Sequence, residues 1–277
     1  METQSSLLPR RAYLSDRDDR QWALLAPLFP RRTNRRGRRR KWPLREIVKA
    51  IFYLLRSGCA WRLLPHDFPP WRTVYSSYWQ GRTAGLWEKL KACLVAQVRV
   101  QHGRHPKPSA AIIDSQSVKT AEGGEQRGVD VHTQVPGRKR HIGVDTLGVL
   151  LIVVVHSASI PDGKGGKLTL QALFQRIKRS VYNSRCRLQR IWAAGADPGI
   201  AAWVKQELGW RLEVVTRPAG TKGFVILPRR WVGERPFGWL GCYRRLGRAF
   251  EHQVLSSETM VYAARVHRMV RLLTRKN

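Results

Sequence analysis

Ser109–Thr120 reads SAAIIDSQSVKT. Ala110 to Ile113 form a short apolar run of strand formers, and the run stops at Asp114 before a polar tail. An apolar run of this length between polar flanks reads as a buried strand. A strand that delivers a carboxylate at its C-terminal end holds it rigidly at a sheet edge, which is what metal-dependent phosphoryl chemistry asks of an anionic ligand. Taken alone, such a segment is also an ordinary way to open a loop, with the aspartate capping a turn. Two features favour the ligand reading of Asp114. The chain is very basic, and a second carboxylate, Glu234, lies far downstream in a basic, aromatic helical segment.

Downstream of Asp114 the pattern is that of an α/β domain. His141–Asp145 and Val149–Ser157 read as strands joined by a tight turn over Thr146-Leu147-Gly148. The Gly- and Lys/Arg-rich segment before them, Ala121–Arg140, reads as a mobile loop near the active face. Asp145 is expected to be hairpin structure and Asp162 a loop residue near that face. A helix is expected over Gly166–Arg179, a fourth strand over Leu188–Ala194, and a helix over Pro198–Leu208 opened by Asp197-Pro198. Arg211–Thr216 is the fifth strand, Pro228–Leu246 a basic, partly helical segment with Glu234 inside it, and Ser257–Leu273 a closing helix. Three antiparallel strands, two more joined by crossover helices, and helices on both faces make a ribonuclease-H-like α/β core with a mixed five-stranded sheet.

Upstream, the chain reads as all-α. Ser15 or Asp16 is a candidate N-cap for a helix carrying Trp22, Leu25, Leu28 and Phe29. Leu44, Ile47, Val48, Ile51 and Leu55 then give an i, i+3, i+4, i+7 face on a helix that has Pro43 in its first turn and ends near Ser57-Gly58. Helical pieces from about Thr73 and over Leu86–Val98 complete a small domain compatible with a helix-turn-helix-like reader of the major groove, or with a plain bundle whose tryptophans are core. The expected layout is a tail at 1–14, this helical DNA-binding domain at 15–102, a proline-bearing linker at 103–109 and the catalytic domain at 110–277.

Charge narrows the function. The chain has 51 Lys+Arg against 19 Asp+Glu, a formal charge of +32, while 43 % hydrophobic residues provide for a real core. Such a surplus repels itself unless a polyanion neutralises it, and nucleic acid is the obvious one. Eight of the eleven residues from Arg31 to Lys41 are Lys or Arg. Arg35, Arg36, Arg38, Arg39, Arg40 and Lys41 are therefore taken as a DNA-contacting arm. The basic triplet Arg138, Lys139, Arg140 is assigned to DNA as well. The basic residues are spread along the whole chain, which disfavours a membrane-surface role, and the longest aliphatic run, Val149–Val155, is too short to cross a bilayer. The opening METQSSLLPRRAYLSD has no apolar core of signal-peptide length. Four scattered cysteines form no metal or disulfide pattern. A cytoplasmic, nucleoid-associated protein is expected.

Several segments together resemble a known family: LSDRDDRQWALLAPLFP, LREIVKAIFYLLRSGCAWRLLPHDFPPWRTVY, AAIIDSQSVKT, GRKRHIGVDTLGVLLIVVVHSAS, LPRRWVGERPFGWLGCYRRL and SSETMVYAARVHRMVRLL, in this order. The chain is similar from Leu14 onward to bacterial insertion-sequence transposases with a DDE triad, of the group named after insertion sequence five. The resemblance implies binding of double-stranded DNA, both element ends and target, by a homodimer or higher assembly. It also implies cut-and-join chemistry with two Mg²⁺ (or Mn²⁺) ions. It places the first family aspartate on Asp114 and the glutamate on Glu234. Arg229, Arg230, Arg235, Arg244 and Arg245 would grip the backbone of the DNA end.

The second family aspartate should follow the fourth strand, but Trp192-Ala193-Ala194-Gly195-Ala196-Asp197 puts Ala194 there. Asp197 is a substitute ligand on one reading. On the other it is the N-cap of a helix opened by Pro198, about 10 Å of extended chain too late. Gly233, Pro236 and Gly238 flank Glu234 and are expected to weaken its helix. A catalytically decayed transposase follows from these departures, and the alternative is a non-catalytic DNA-binding protein derived from one.

Overall fold

The computed structural model describes residues 10–30, 40–121, 123–179, 187–194, 198–215 and 228–275. The strand read from the opening stretch runs longer than its apolar part: β1 spans Ala110–Lys119. It continues past Asp114 because its neighbour continues. β3, Pro136–Val144, pairs antiparallel with it from Ile112↔Val144 to Lys119↔Gly137. The far side of β3 takes β4, Leu150–Ser157, and the two-residue β2, Gly128–Val129. On its other edge β1 runs parallel to β5, Arg190–Ala194, which runs parallel to β6, Arg211–Val215. The result is a six-stranded mixed sheet of ribonuclease-H-like type. It has one strand more than expected, because the segment read as a mobile loop contains β2 and the first half of β3.

Period-two alternation along β1 sorts the core into two layers. Ala111 and Ile113 face one side, with Ile152, Ile191 and Ala193. There Leu170 and Leu173 of α5, Asp162–Arg179, meet Val204 and Leu208, which follow α6, Pro198–Trp203. Ile112 faces the other side, with Ile142, Val144, Val153 and Trp192. This second layer is covered by α7, Pro228–Gly241, and α8, Val254–Leu273, and runs on into the N-terminal helices as one apolar cluster. Those helices are α1 (Asp19–Leu25), α2 (Leu44–Ser57), α3 (Trp71–Thr83) and α4 (Leu86–Gln101).

Local chemistry moves some boundaries. The α1 cap is Asp18, whose Oδ1 accepts the Gln21 N–H at 2.8 Å, whereas Asp16 is paired with Arg10 at 2.8 Å. Pro43 is the residue before α2 rather than part of it. Asp162 is the first residue of α5 rather than a loop residue. Asp145 does hold the β3–β4 turn: its Oδ1 accepts from Leu147 N at 2.9 Å and Val149 N at 2.8 Å, and its Oδ2 pairs with Arg99 of α4.

β4 is the edge strand of its side of the sheet, and helix side chains complete its hydrogen bonds. Lys91 donates to the Leu151 carbonyl, Glu258 Oε1 accepts from Val155 N at 2.9 Å, and the Tyr262 hydroxyl meets Val153 N at 3.3 Å and Val153 O at 3.4 Å. An open edge is thereby closed to other chains.

Candidate active site

Asp114 is half-buried, opposite Ile142 on β3, and its Oδ1 accepts the Ser115 N–H at 2.8 Å. It shares the Ile112 face of β1, and α7 packs onto that face through Gly233. A Cβ at 233 would lie 3.0 Å from Ile112 Cγ2, 3.3 Å from Asp114 Cβ and 3.5 Å from Asp114 Oδ2. Gly233 is therefore a contact residue: its missing side chain lets the helix backbone reach the aspartate. Glu234 is the next residue of α7 and is exposed. Pro236 lies inside α7, yet the helix runs through it to Gly241, so the expected weakening does not break the element that carries Glu234.

On the parallel side, Ile113 pairs with Ala193, and one residue further along each strand stand Asp114 and Ala194. The position where the second carboxylate is expected is therefore level with the first, and alanine occupies it. Asp197 lies outside the described residues.

A cleft of about 360 Å³ opens beside Asp114, toward α5, and is lined among others by Ser115, Ser117, Asp130, His141, Asp162 and Ala193. Lys139 joins its two acids, 2.9 Å from Asp162 Oδ1 and 3.4 Å from Asp130 Oδ2. Burial acts to raise both carboxyls. For Asp130, hydrogen bonds from Ser117, the His132 N–H and Thr133 outweigh it; for Asp162, the bond and charge of Lys139 do so. Both are held below the ordinary range and stay charged.

Behind them, His156 Nδ1 faces the Ser157 carbonyl at 2.8 Å and so carries the proton there. Its Nε2, 2.8 Å from His141 Nδ1, then accepts. His141 Nε2 is left facing Asp162 Oδ1 at 3.8 Å. Burial first, and the neighbouring His156 second, pull His141 down to about 3. Gly165 of α5 makes room for the two rings, since a Cβ there would lie 2.4 Å from His141 Cε1.

Residues 105–262 match the family model described as "Transposase DDE domain", and residues 18–91 match that of transposases of the IS4/5 family. The first match covers more than half of the chain. The protein belongs to the DDE transposases of the IS4/5 family. No curated protein and no solved structure matches it.

Among this transposase's basic residues the structure separates anchors from surface. Arg138 and Arg140, read as DNA contacts, are buried on the α8 side of β3. Arg138 donates to the carbonyls of Glu125 (2.8 Å), Glu251 (2.5 Å) and His252 (2.5 Å), and Arg140 to that of Leu246 at 2.7 Å. They hold the segment between α7 and α8 in place, with their donors given to its carbonyls. Lys139, 2 % exposed, is committed to Asp130 and Asp162. Arg245 is buried between Glu251 at 2.8 Å and the Cys59 carbonyl at 3.1 Å. Arg235 is wedged between Trp231 and Trp239 and donates to the Leu147 carbonyl at 2.7 Å.

Arg40, Lys41 and Arg244 are exposed. Arg35, Arg36, Arg38 and Arg39 lie outside the described residues, as do the side chains of Arg229 and Arg230. The Lys139–Asp130–Asp162 and His141–His156 networks escaped the sequence reading. Their one signal is that 139 and 141 share a strand face, and nothing local marks that face as the one toward Asp162.

Proposed function

We propose that this transposase binds the inverted-repeat ends of an insertion sequence and carries the carboxylate framework for metal-dependent strand cleavage and transfer, with Asp114 and Glu234 as ligands. The observation behind this reading is the approach of α7 to Asp114 through Gly233, the residue that directly precedes Glu234. Two carboxylates there are hard oxygen donors suited to Mg²⁺ or Mn²⁺. Among the described residues no group of three His, Cys, Asp or Glu side chains could hold a metal ion, so the pair fits only part of a two-ion site. A bound divalent ion supplies charge neutralisation at the transferring phosphoryl group. The residues' own part is placement: the Ser115 N–H bonds Asp114 Oδ1, and α7 carries Glu234 one residue beyond its contact with Asp114.

DNA is engaged in this reading by the Arg31–Lys41 arm and by α3. The exposed stripe of α3 is Arg72, Tyr75, Ser76, Trp79, Gln80 and Thr83, and the helix contains no acid. Arginine and glutamine are residue types that read base edges. A dimer or larger assembly on two element ends belongs to the same proposal.

A second reading, a DNA-binding derivative that does not cut, is favoured by Ala194 standing level with Asp114. The two part on whether the parent nicks an element-end duplex, and the ligand assignment is tested separately. In a background that cuts, Asp114→Asn or Glu234→Gln abolishes strand cleavage and leaves duplex affinity within about twofold. Parallel loss of affinity would make the carboxylates structural instead.

A further inference from the structure

We infer a phosphate-binding site at the junction of α7 and α8, built from Arg265, Arg268 and Arg235 around Trp239, that takes a backbone phosphate of the bound DNA. Three guanidinium groups converge on one indole: the Cζ atoms of Arg268, Arg235 and Arg265 lie 4.0, 4.7 and 4.9 Å from the Trp239 ring centre. Arg265 is 1 % exposed. Its Nη2 donates to the Gly148 carbonyl at 3.2 Å, while its Nε and Nη1 have no partner among the described residues. Arg235 Nε and Arg268 Nε are buried and unpartnered in the same way.

Cation–π contact offsets part of the charge but satisfies none of these N–H donors. Asp145, the carboxylate that acts on Arg265, is already spent on Arg99 and on the N–H groups of Leu147 and Val149. Burial draws Arg265 down to about 10, so it remains charged at neutral pH. Clustered like charges with orphaned donors call for an anion with several acceptor oxygens, and a phosphate matches the arginine fork. Arg268 and Arg235 are only half-buried, so part of each side chain reaches solvent.

That the phosphate belongs to DNA rests on the proposed function. Trp239 is six residues beyond Gly233, roughly 9 Å along the helix.

The test uses the full chain in two arms. In the first, melting temperature is followed against inorganic phosphate, with chloride at matched ionic strength as reference. A saturable rise is expected. In Arg268→Ala and in Arg268→Gln its half-saturation moves at least tenfold higher, while exposed Arg11→Ala, of equal charge change, behaves as the parent. Equal increments in all four proteins would overturn the site as a general charge effect. In the second arm, anisotropy of a labelled 30-bp duplex of random sequence gives the slope of log affinity against log salt, which Arg268→Ala lowers by about one. A lost phosphate response with an unchanged slope would overturn DNA as the source of the phosphate. Neither arm depends on cleavage, so an inert protein leaves the test intact.

Discussion

At the residue scale, two positions with small side chains say most. Gly233 is small so that α7 can touch Asp114, and Ala194 is small where the resemblance implies a carboxylate. The first was legible as a glycine in a helix but not as a contact, because its meaning depends on a strand far away in sequence. The strand that carries Asp114 and the helix that carries Glu234 were legible, because each lies in a distinctive segment. Buried histidines give a further prediction at this scale. His141 and His267 are each drawn down to about 3 by burial from an unfolded value of 6.5. Between those values the unfolded chain binds protons that the folded chain refuses, so stability is full above pH 6.5 and is lost as pH falls through the window. The slope is at most about 1.4 kcal/mol per pH unit for each histidine. Glu258, raised to about 6 by burial, works the other way between 6 and 4.5. Urea midpoints at pH 7.5 and pH 5 should therefore differ in the parent and differ less in His141→Asn; equal differences would contradict the assignment.

At the scale of elements, the apolar run that suggested β1 marks only its buried half, because beyond Asp114 the strand is held by its pairing with β3. The Arg138–Arg140 triplet shows the same limit from the other side. A basic triplet reads as surface until the alternation of a central strand sends its first and third members into the core and its second toward Asp130 and Asp162 on the opposite face. Buried arginines are tolerated there because loop carbonyls take their donors. The cap on the β4 edge gives the element-scale prediction. Tyr262→Phe removes a hydroxyl that serves Val153 N, Val153 O and Arg176. It should cost about 1–3 kcal/mol in a denaturant titration, the usual penalty of stranding buried polar groups. A loss below about 0.5 kcal/mol would mean that these bonds do not hold the edge.

At the scale of the whole molecule, one apolar cluster joins the N-terminal helices to the α8 side of the sheet, a union no local pattern revealed. The element order was legible and the sheet followed from it, since crossover rules leave few ways to arrange such a series. Net charge sets the remaining behaviour. Duplex affinity should fall steeply with salt, and replacing the arginines of the Arg31–Lys41 arm with glutamine should flatten that dependence. An unchanged slope would remove the arm from the interface.

In the proposed function, a carboxylate framework for strand cleavage stands at Asp114 and Glu234 and lacks one member at 194. Losing one preorganised charge of this kind typically costs about 3–4 kcal/mol, a hundredfold or more in rate. Single-turnover nicking of a labelled element-end duplex in Mg²⁺ or Mn²⁺ tests it directly, comparing the parent, Ala194→Asp and Asp197→Asn. Little or no cleavage by the parent is expected, with a rise of at least a hundredfold in Ala194→Asp and no change in Asp197→Asn. Efficient cleavage by the parent that Asp197→Asn abolishes would contradict it and make Asp197 the ligand.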